Sequence, residues 1–558
     1  MLPITRRRFI RDTGAAAAAA LVGASAPAAL TARRTRRQTS AGELVFRPVV
    51  TQHGAGPHMG EAVYATDPSW DAFASNLAIT SAGLTLSDTR GVPRFGVNVR
   101  WNVEGFGYLF LNADNGGEFY ELPPSGRQQV LNLGYELARS RIARNTRRLT
   151  RHTTGGWTPS RDIEAFAALS HEYLADSSRA ADEPQKAALA QKALMYALWA
   201  GEWIEVERAR WDIGRLGART SLRFGCDARA YTQMDSDVFL ERFRELFNFA
   251  TVNHYLIGTQ QDFEPVAGQK RFGLRDVVVD DLRRLGIEVE GRPLVWFHRW
   301  VTPAWLKAKQ YGEVLKYVET HVRDVMRHYG DRIQVWEVAN EMHDWANELR
   351  LTPEQMVEVT KLACEVARDA NPRVLRLINN CCPYAEYVHQ RKWEHLDATY
   401  RQRTPWQFMR DLQASGAPFD VTGIQMYFPS RDLADSILLI ERFADFERPV
   451  HVTEVGASSG PSERSVKLDA VKLPTGPYAW HRPWDEELQA DWTEGIYTLA
   501  FSKPYIEAVS WYDFVDPHGF IPNGGLLRST AGEKKPVWDR LSRLQHLVRG
   551  REGVSASV

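Results

Sequence analysis

Cysteine is scarce in this chain: four in 558 residues, Cys226, Cys364, Cys381 and Cys382. That excludes a disulfide framework as the source of stability. The adjacent Cys381-Cys382 lacks the accompanying Cys/His spacing of a zinc site. Net charge is missing too, because 69 Lys and Arg balance 69 Asp and Glu, so no nucleic-acid partner held by a basic surface is expected. No run is long and apolar enough to form a stable membrane span. None of the 15 His stands in a His-x-x-x-His pair beside a glutamate, so neither a metal nor an organic cofactor is expected.

What is present begins with the N-terminus. Thr5-Arg6-Arg7-Arg8-Phe9-Ile10-Arg11 precedes a small, weakly apolar run from Gly14 to Leu30. That order has the form of a twin-arginine export signal over residues 1–31, with Ala24-Ser25-Ala26 as its cleavage site. Residues 32–42 are basic and polar and read as a linker. From 43 to 132, short apolar runs such as Phe95-Gly96-Val97-Asn98-Val99 and Tyr108-Leu109-Phe110-Leu111 are broken by Gly, Pro, Asn and Asp. This predicts a small β-sandwich-like accessory domain. Its Trp101, Phe106, Tyr108 and Tyr120 suit either a sugar-binding face or a packing module between domains. Residues 133–218 carry apolar positions at helical spacing and read as a helical connector.

From 219 to 550 short apolar strands alternate with amphipathic helices. Eight strands are expected: Leu222–Gly225, Ala250–Val252, Pro293–Phe297, Gln334–Val338, Val374–Ile378, Val421–Gln425, Val450–Thr453 and Ala508–Trp511. Eight β/α units over this length predict a (β/α)8 barrel of the α/β class. A doubly wound open sheet would want a Gly-rich phosphate loop after its first strand, and Phe224-Gly225-Cys226-Asp227 supplies none. Two strand candidates close on a carboxylate. Asn340 and Glu341 follow Val335-Trp336-Glu337-Val338-Ala339, and Glu454 follows Val450-His451-Val452-Thr453. About three β/α units separate them, which sets the two strand ends across the barrel mouth from each other. Such a pair is what glycosidic-bond cleavage needs: one acid to protonate the leaving oxygen, one carboxylate to attack or to activate water.

The motifs around these residues resemble those of glycoside hydrolase family 10, the xylanase-type barrels. Trp336-Glu337-Val338-Ala339-Asn340-Glu341 is similar to that family's acid/base motif, and His451-Val452-Thr453-Glu454 to its nucleophile strand. Leu294-Val295-Trp296-Phe297-His298 with Pro303-Ala304-Trp305 resembles its strand-three segment. Glu264-Pro265, Gly423-Ile424-Gln425, and Val509-Ser510-Trp511 with Ile521-Pro522 follow in the family's order. The resemblance implies a retaining β-glycosidase of endo-1,4-β-xylanase type acting on a polysaccharide by double displacement. Glu341 would be the general acid/base and Glu454 the nucleophile, with carboxyl groups about 5–5.5 Å apart. It implies substrate contacts at Asn340, His298, Trp511 and Gln425.

The chain also departs from the family. Where the family's second strand ends in Thr-Pro-Glu-Asn-Glu-Met-Lys-Trp, this chain reads Thr251-Val252-Asn253-His254-Tyr255-Leu256-Ile257-Gly258. Asn253 and His254 become the candidate sugar contacts there. The strand-six His that touches the nucleophile in the family reads as Tyr427, whose phenol can donate to a carboxylate instead. These departures keep two alternatives open, a hydrolase of a different β-linked glycan and a non-catalytic secreted glycan-binding protein.

Overall fold

The computed structural model describes residues 42–49, 59–259, 261–393, 396–427, 430–460, 480–517 and 519–550. The expected export signal lies outside the described residues, as does all of the expected linker except Gly42.

The N-terminal strands are β1 (Glu43–Arg47), β2 (Met59–Thr66), β3 (Ala72–Phe73), β4 (Ala78–Thr80), β5 (Gly83–Leu86), β6 (Gly96–Val103), β7 (Gly107–Ala113) and β8 (Gln128–Asn132). They form two four-stranded sheets, ordered β4-β5-β1-β8 and β3-β2-β6-β7. Leu44, Phe46, Leu84, Val97, Val99, Leu109 and Leu111 fill a shared core. Trp101, Phe106 and Tyr120 belong to that core and are at most 5% exposed. Their polar atoms are used internally: Trp101 Nε1 donates to Gln191 at 2.9 Å and Tyr120 Oη to Glu136 at 2.6 Å. These rings are packing residues, not a sugar-binding face.

Three helices follow: α1 (Leu133–Thr154), α2 (Arg161–Arg179) and α3 (Glu183–Leu216). Each begins where a side chain accepts from a free N-terminal amide: Asn132, Ser160 and Asp182. Helix α3 is apolar on more than one face, because it packs against both α1 and the barrel's outer helices.

The barrel strands are β9 (Arg223–Asp227), β10 (Phe249–Asn253), β11 (Glu288–Arg292), β12 (Val335–Asn340) and β13 (Leu375–Asn380). A small hairpin, β14 (Lys392–Trp393) and β15 (Leu396–Asp397), intervenes. Then come β16 (Val421–Tyr427), β17 (Val450–Gly456) and β18 (Ile506–Trp511). All eight barrel strands run parallel, and β18 pairs with β9 to close the ring. The expected (β/α)8 barrel with a β-rich N-terminal region is therefore the observed architecture. Phe249, Val335, Leu377, Val421 and Ala508, from five different strands, form one cluster, the layered interior of a filled barrel.

One strand sits elsewhere than expected. The third runs from Glu288 to Arg292, not from Pro293 to Phe297. Pro293 has no N–H to give to a ladder, so the continuous strand stops before it. The chain rejoins the sheet beyond it through Leu294 N–H to Glu337 O, Val295 N–H to Val338 O and Asn340 N–H to Val295 O, at 2.9, 3.0 and 2.9 Å.

Candidate active site

The C-terminal ends of β11, β12, β13, β16, β17 and β18 converge on Glu341 and Glu454. Glu341 is the first residue past β12 and takes a left-handed φ of 55°, an uncommon conformation for a side-chain-bearing residue and one that gathers at functional sites. Its N–H donates to the Asn379 carbonyl at 3.0 Å. Its carboxyl accepts from Trp296 Nε1 on Oε2 and from Gln425 Nε2 on Oε1, both at 3.0 Å. Gln425 also reaches Asn340 Oδ1 at 3.3 Å. Burial pushes the Glu341 pKa up and the charge of Glu454 adds to this, against opposing effects of His298, Gln425 and Trp296. A carboxyl whose pKa is raised in this way is suited to donate a proton to a leaving group.

Glu454, buried within β17, has different company. Its Oε1 accepts from Arg292 Nη2 and from Asn379 Nδ2, the latter at 3.1 Å, and its Oε2 accepts from the Tyr427 phenol. Asn379 is fixed in turn by Thr453 Oγ1, which donates to its Oδ1 at 2.6 Å. One asparagine thus reaches both glutamates, its backbone oxygen accepting from the Glu341 N–H and its side-chain amide donating to the Glu454 carboxylate.

An arc of rings connects the same two groups. Trp296 meets Tyr255 with centroids 5.3 Å apart, the Tyr255 and Tyr512 hydroxyls are 3.5 Å apart, and Tyr512 meets Tyr427 at 5.1 Å. Outward from Trp296, His298 stacks on it at 4.8 Å, and Trp300, 47% exposed, meets His298 at the same distance.

The structure brings Asn340, Glu341, Gln425, Tyr427, Glu454 and His298 together. Trp511 is nearly closed off, donating from Nε1 to Gly524 O at 3.0 Å. Asn253 lies half-buried at the end of β10 and donates to Asp227 at 3.0 Å. His254 does not join the group. Its ring lies outside the barrel wall, bonded to the Val252 carbonyl and the Tyr329 hydroxyl at 3.0 Å each and flanked by Trp336. Burial and nearby Arg275 hold its pKa well below the usual histidine range. The cause is the two-residue alternation of a strand: Asn253 faces the mouth, and the next residue faces the helices.

Sequence reasoning missed Arg292, Asn379, Tyr255 and Tyr512. The signal that singled out the glutamates, a polar residue closing a strand, also marks Asn379 at the end of Val374–Ile378. Arg292 closes Glu288-Val289-Glu290-Gly291-Arg292, a run too polar to be taken for a barrel strand.

The model for Glycosyl hydrolase family 10 matches residues 222–539. The chain belongs to glycoside hydrolase family 10. As a family 10 member it is a glycoside hydrolase acting on O-glycosyl bonds. Endo-1,4-beta-xylanase B of Thermotoga neapolitana is 22% identical over 306 residues, covering 52% of this chain and 76% of that xylanase. Beta-1,4-xylanase of Dictyoglomus thermophilum is 29% identical over 197 residues, covering 34% of this chain and 51% of that protein. Native xylanase 10B from Thermotoga maritima superposes with a TM-score of 0.46 and 18% identity, covering 62% of this chain and 99% of its own. Among the described residues no group of His, Cys, Asp and Glu could hold a metal ion, and no helix is long and apolar enough to cross a membrane.

Proposed function

We propose that this family 10 member is an exported, retaining endo-1,4-β-xylanase-like enzyme that hydrolyses a polysaccharide by double displacement. The observation that carries the reading is the contrast between its two carboxyls. Glu341 is buried beside neutral donors, Trp296 and Gln425. Glu454 is held by a guanidinium, an amide and a phenol. A pair of carboxyls in environments that differ in this way divides into proton donor and nucleophile. In the first step a Glu454 oxygen attacks the anomeric carbon while Glu341 protonates the departing oxygen. In the second, water attacks that carbon, gives its proton to Glu341, and releases Glu454.

Export rests on the Thr5–Arg11 motif and the small-residue run behind it. N-terminal sequencing of secreted protein is expected to begin just after Ala26; an intact Met1 on the secreted form would overturn it. The names of the similar xylanases and the family motifs support xylan. A different β-linked glycan is favoured by the mouth end of β10, where Asn253, Tyr255 and Ile257 stand in place of a charged grip.

The test is a panel of β-linked polysaccharides with product analysis, alongside an aryl β-xyloside. Release of xylo-oligosaccharides, abolished in Glu454→Gln, is expected. Hydrolysis of another glycan alone would sink the xylan assignment and leave the mechanism standing.

A further inference from the structure

Three carboxyls crowd around one guanidinium beneath the active site. Arg292 ends β11 and is 1% exposed. Its Nη2 bonds Glu454 Oε1, and its Nε lies 3.6 Å from Glu337 Oε2. Glu337 on β12 and Glu290, two residues before Arg292 on β11, complete the cluster, and both are at most 1% exposed. Burial pushes Glu290 up to about 7, with the charge of Glu454 adding to the effect. Burial likewise lifts Glu337 well above the usual carboxyl range, with Glu454 and Glu290 contributing. Of the three, Glu454 is the carboxyl that Arg292 meets within hydrogen-bond distance. No hydrogen-bond partner engages Arg292 Nε or Nη1 among the described residues, so its donation to Glu454 is its one close polar contact there.

We propose that Arg292 is a positioning residue that decides which half of the double displacement limits turnover, by holding Glu454 as a weak nucleophile and a good leaving group. The inference rests on the retaining mechanism proposed above. In the first step a Glu454 oxygen gives an electron pair to the anomeric carbon. The bond from that carbon to the leaving oxygen breaks, and the leaving oxygen takes the proton of Glu341. A carboxylate whose electron pairs are already engaged by a guanidinium, an amide and a phenol attacks more slowly. In the second step water attacks the same carbon, its proton passes to Glu341, and the bond from carbon to Glu454 breaks with the electron pair returning to the carboxylate. The charge regenerated there meets Arg292 and Asn379 already in place, and donors fixed in advance where charge develops lower a barrier without reorganisation. Formation of the glycosyl-enzyme is then slow, its hydrolysis is fast, and the intermediate does not accumulate.

The experiment measures kcat for aryl β-xylobiosides of graded leaving-group pKa, with stopped-flow detection of the released phenolate. The wild-type enzyme is expected to show kcat falling at least about tenfold across the series, with no burst. Arg292→Met is expected to flatten kcat for the most acidic phenols and to show a burst approaching one equivalent of enzyme. Arg292→Lys, which keeps the charge, is expected to retain the wild-type slope. A merely structural role would lower kcat alike for every leaving group and leave the slope unchanged. A burst with flat kcat in the wild-type enzyme overturns the proposal, and so does an unchanged slope without a burst in Arg292→Met. If Arg292→Met does not fold, the wild-type burst and the Arg292→Lys slope still decide. Absence of wild-type turnover on every member of the series overturns the proposed function itself, an outcome distinct from turnover with the wrong rate-limiting step.

Discussion

At the scale of single residues, the site is organised by what each carboxyl is given to bond with. Glu341 receives two neutral N–H donors and deep burial, and burial wins: its pKa rises. Proton donation then requires the protonated form, so activity falls as pH rises through that pKa. Glu341→Gln cannot transfer the proton at all. For a polysaccharide or a basic alkoxide leaving group, kcat/KM is expected to drop about 10²- to 10⁴-fold. For an acidic phenol, which departs without protonation, the first step is expected to be much less affected, and the alkaline fall of kcat/KM in the wild type should be absent. The pH profile of both proteins on the two substrate types checks this; a loss equal for both leaving groups would remove Glu341 from the role of acid. Gln425 illustrates what a motif cannot specify. The resemblance implied a sugar contact; the structure adds that the amide lies between Asn340 and Glu341, fixing how the acid is presented.

At the scale of elements, seven of the eight barrel strands lay within a few residues of their apolar runs, because a strand buried on both faces is apolar throughout. Strand β11 escaped because one of its faces is charged. Glu288 bonds Arg223 at 2.7 Å, Arg292 bonds Glu454, and Glu290 lies between them on the same side. Only Val289 and Gly291 face the other way, too little to register as a hydrophobic run. That charged column has an energetic consequence. Burial pushes the Glu290 carboxyl up to about 7 in the fold, from an ordinary 4.5. The folded protein therefore binds this proton more tightly than the unfolded chain. The stability it contributes is complete below pH 4.5 and is lost as pH rises through about 7. Glu290→Gln carries no such dependence, so its stability relative to wild type should climb between pH 5 and pH 8 by up to roughly 3 kcal/mol. Denaturant unfolding of both proteins at the two pH values checks it. A constant difference between them would show that Glu290 ionises as readily in the fold as outside it.

At the scale of the whole molecule, the described residues form one compact unit, and buried charge does much of the joining. Arg141 on α1 bonds Asp432 and, at 2.9 Å, Asp435, both at the start of the barrel helix Leu433–Arg442. Arg144 adds a bond to Asp435 at 2.8 Å. Arg148 spans Glu205 on α3 and Glu441 on the barrel, the latter at 2.7 Å. The small β-domain is stitched in as well: Phe110 N–H donates to Ser430 O at 2.8 Å, and Asp71 accepts from Thr404 and Arg442 at 2.7 and 2.9 Å. None of this was legible in the sequence. Arginines spaced along one face of α1 look like a solvated stripe, and their partners lie almost three hundred residues away. The connector is therefore a structural wall of the barrel more than a tether. Losing one partner of a buried ion pair leaves the other charge stranded, at a cost of about 3–5 kcal/mol. Arg141→Ala, which strands Asp432 and leaves Asp435 to Arg144, should lower stability by that amount. The full chain should unfold in a single cooperative transition by calorimetry, and that transition should move as a whole in the variant. A barrel trimmed to residues 219–550 should be far less stable than the full chain, because Asp432, Asp435 and Glu441 would lose their arginines and an apolar face would open to water. Two separate transitions in the full chain, or a trimmed barrel that melts at the same temperature and keeps full activity, would show instead that the N-terminal 218 residues are an independent appendage.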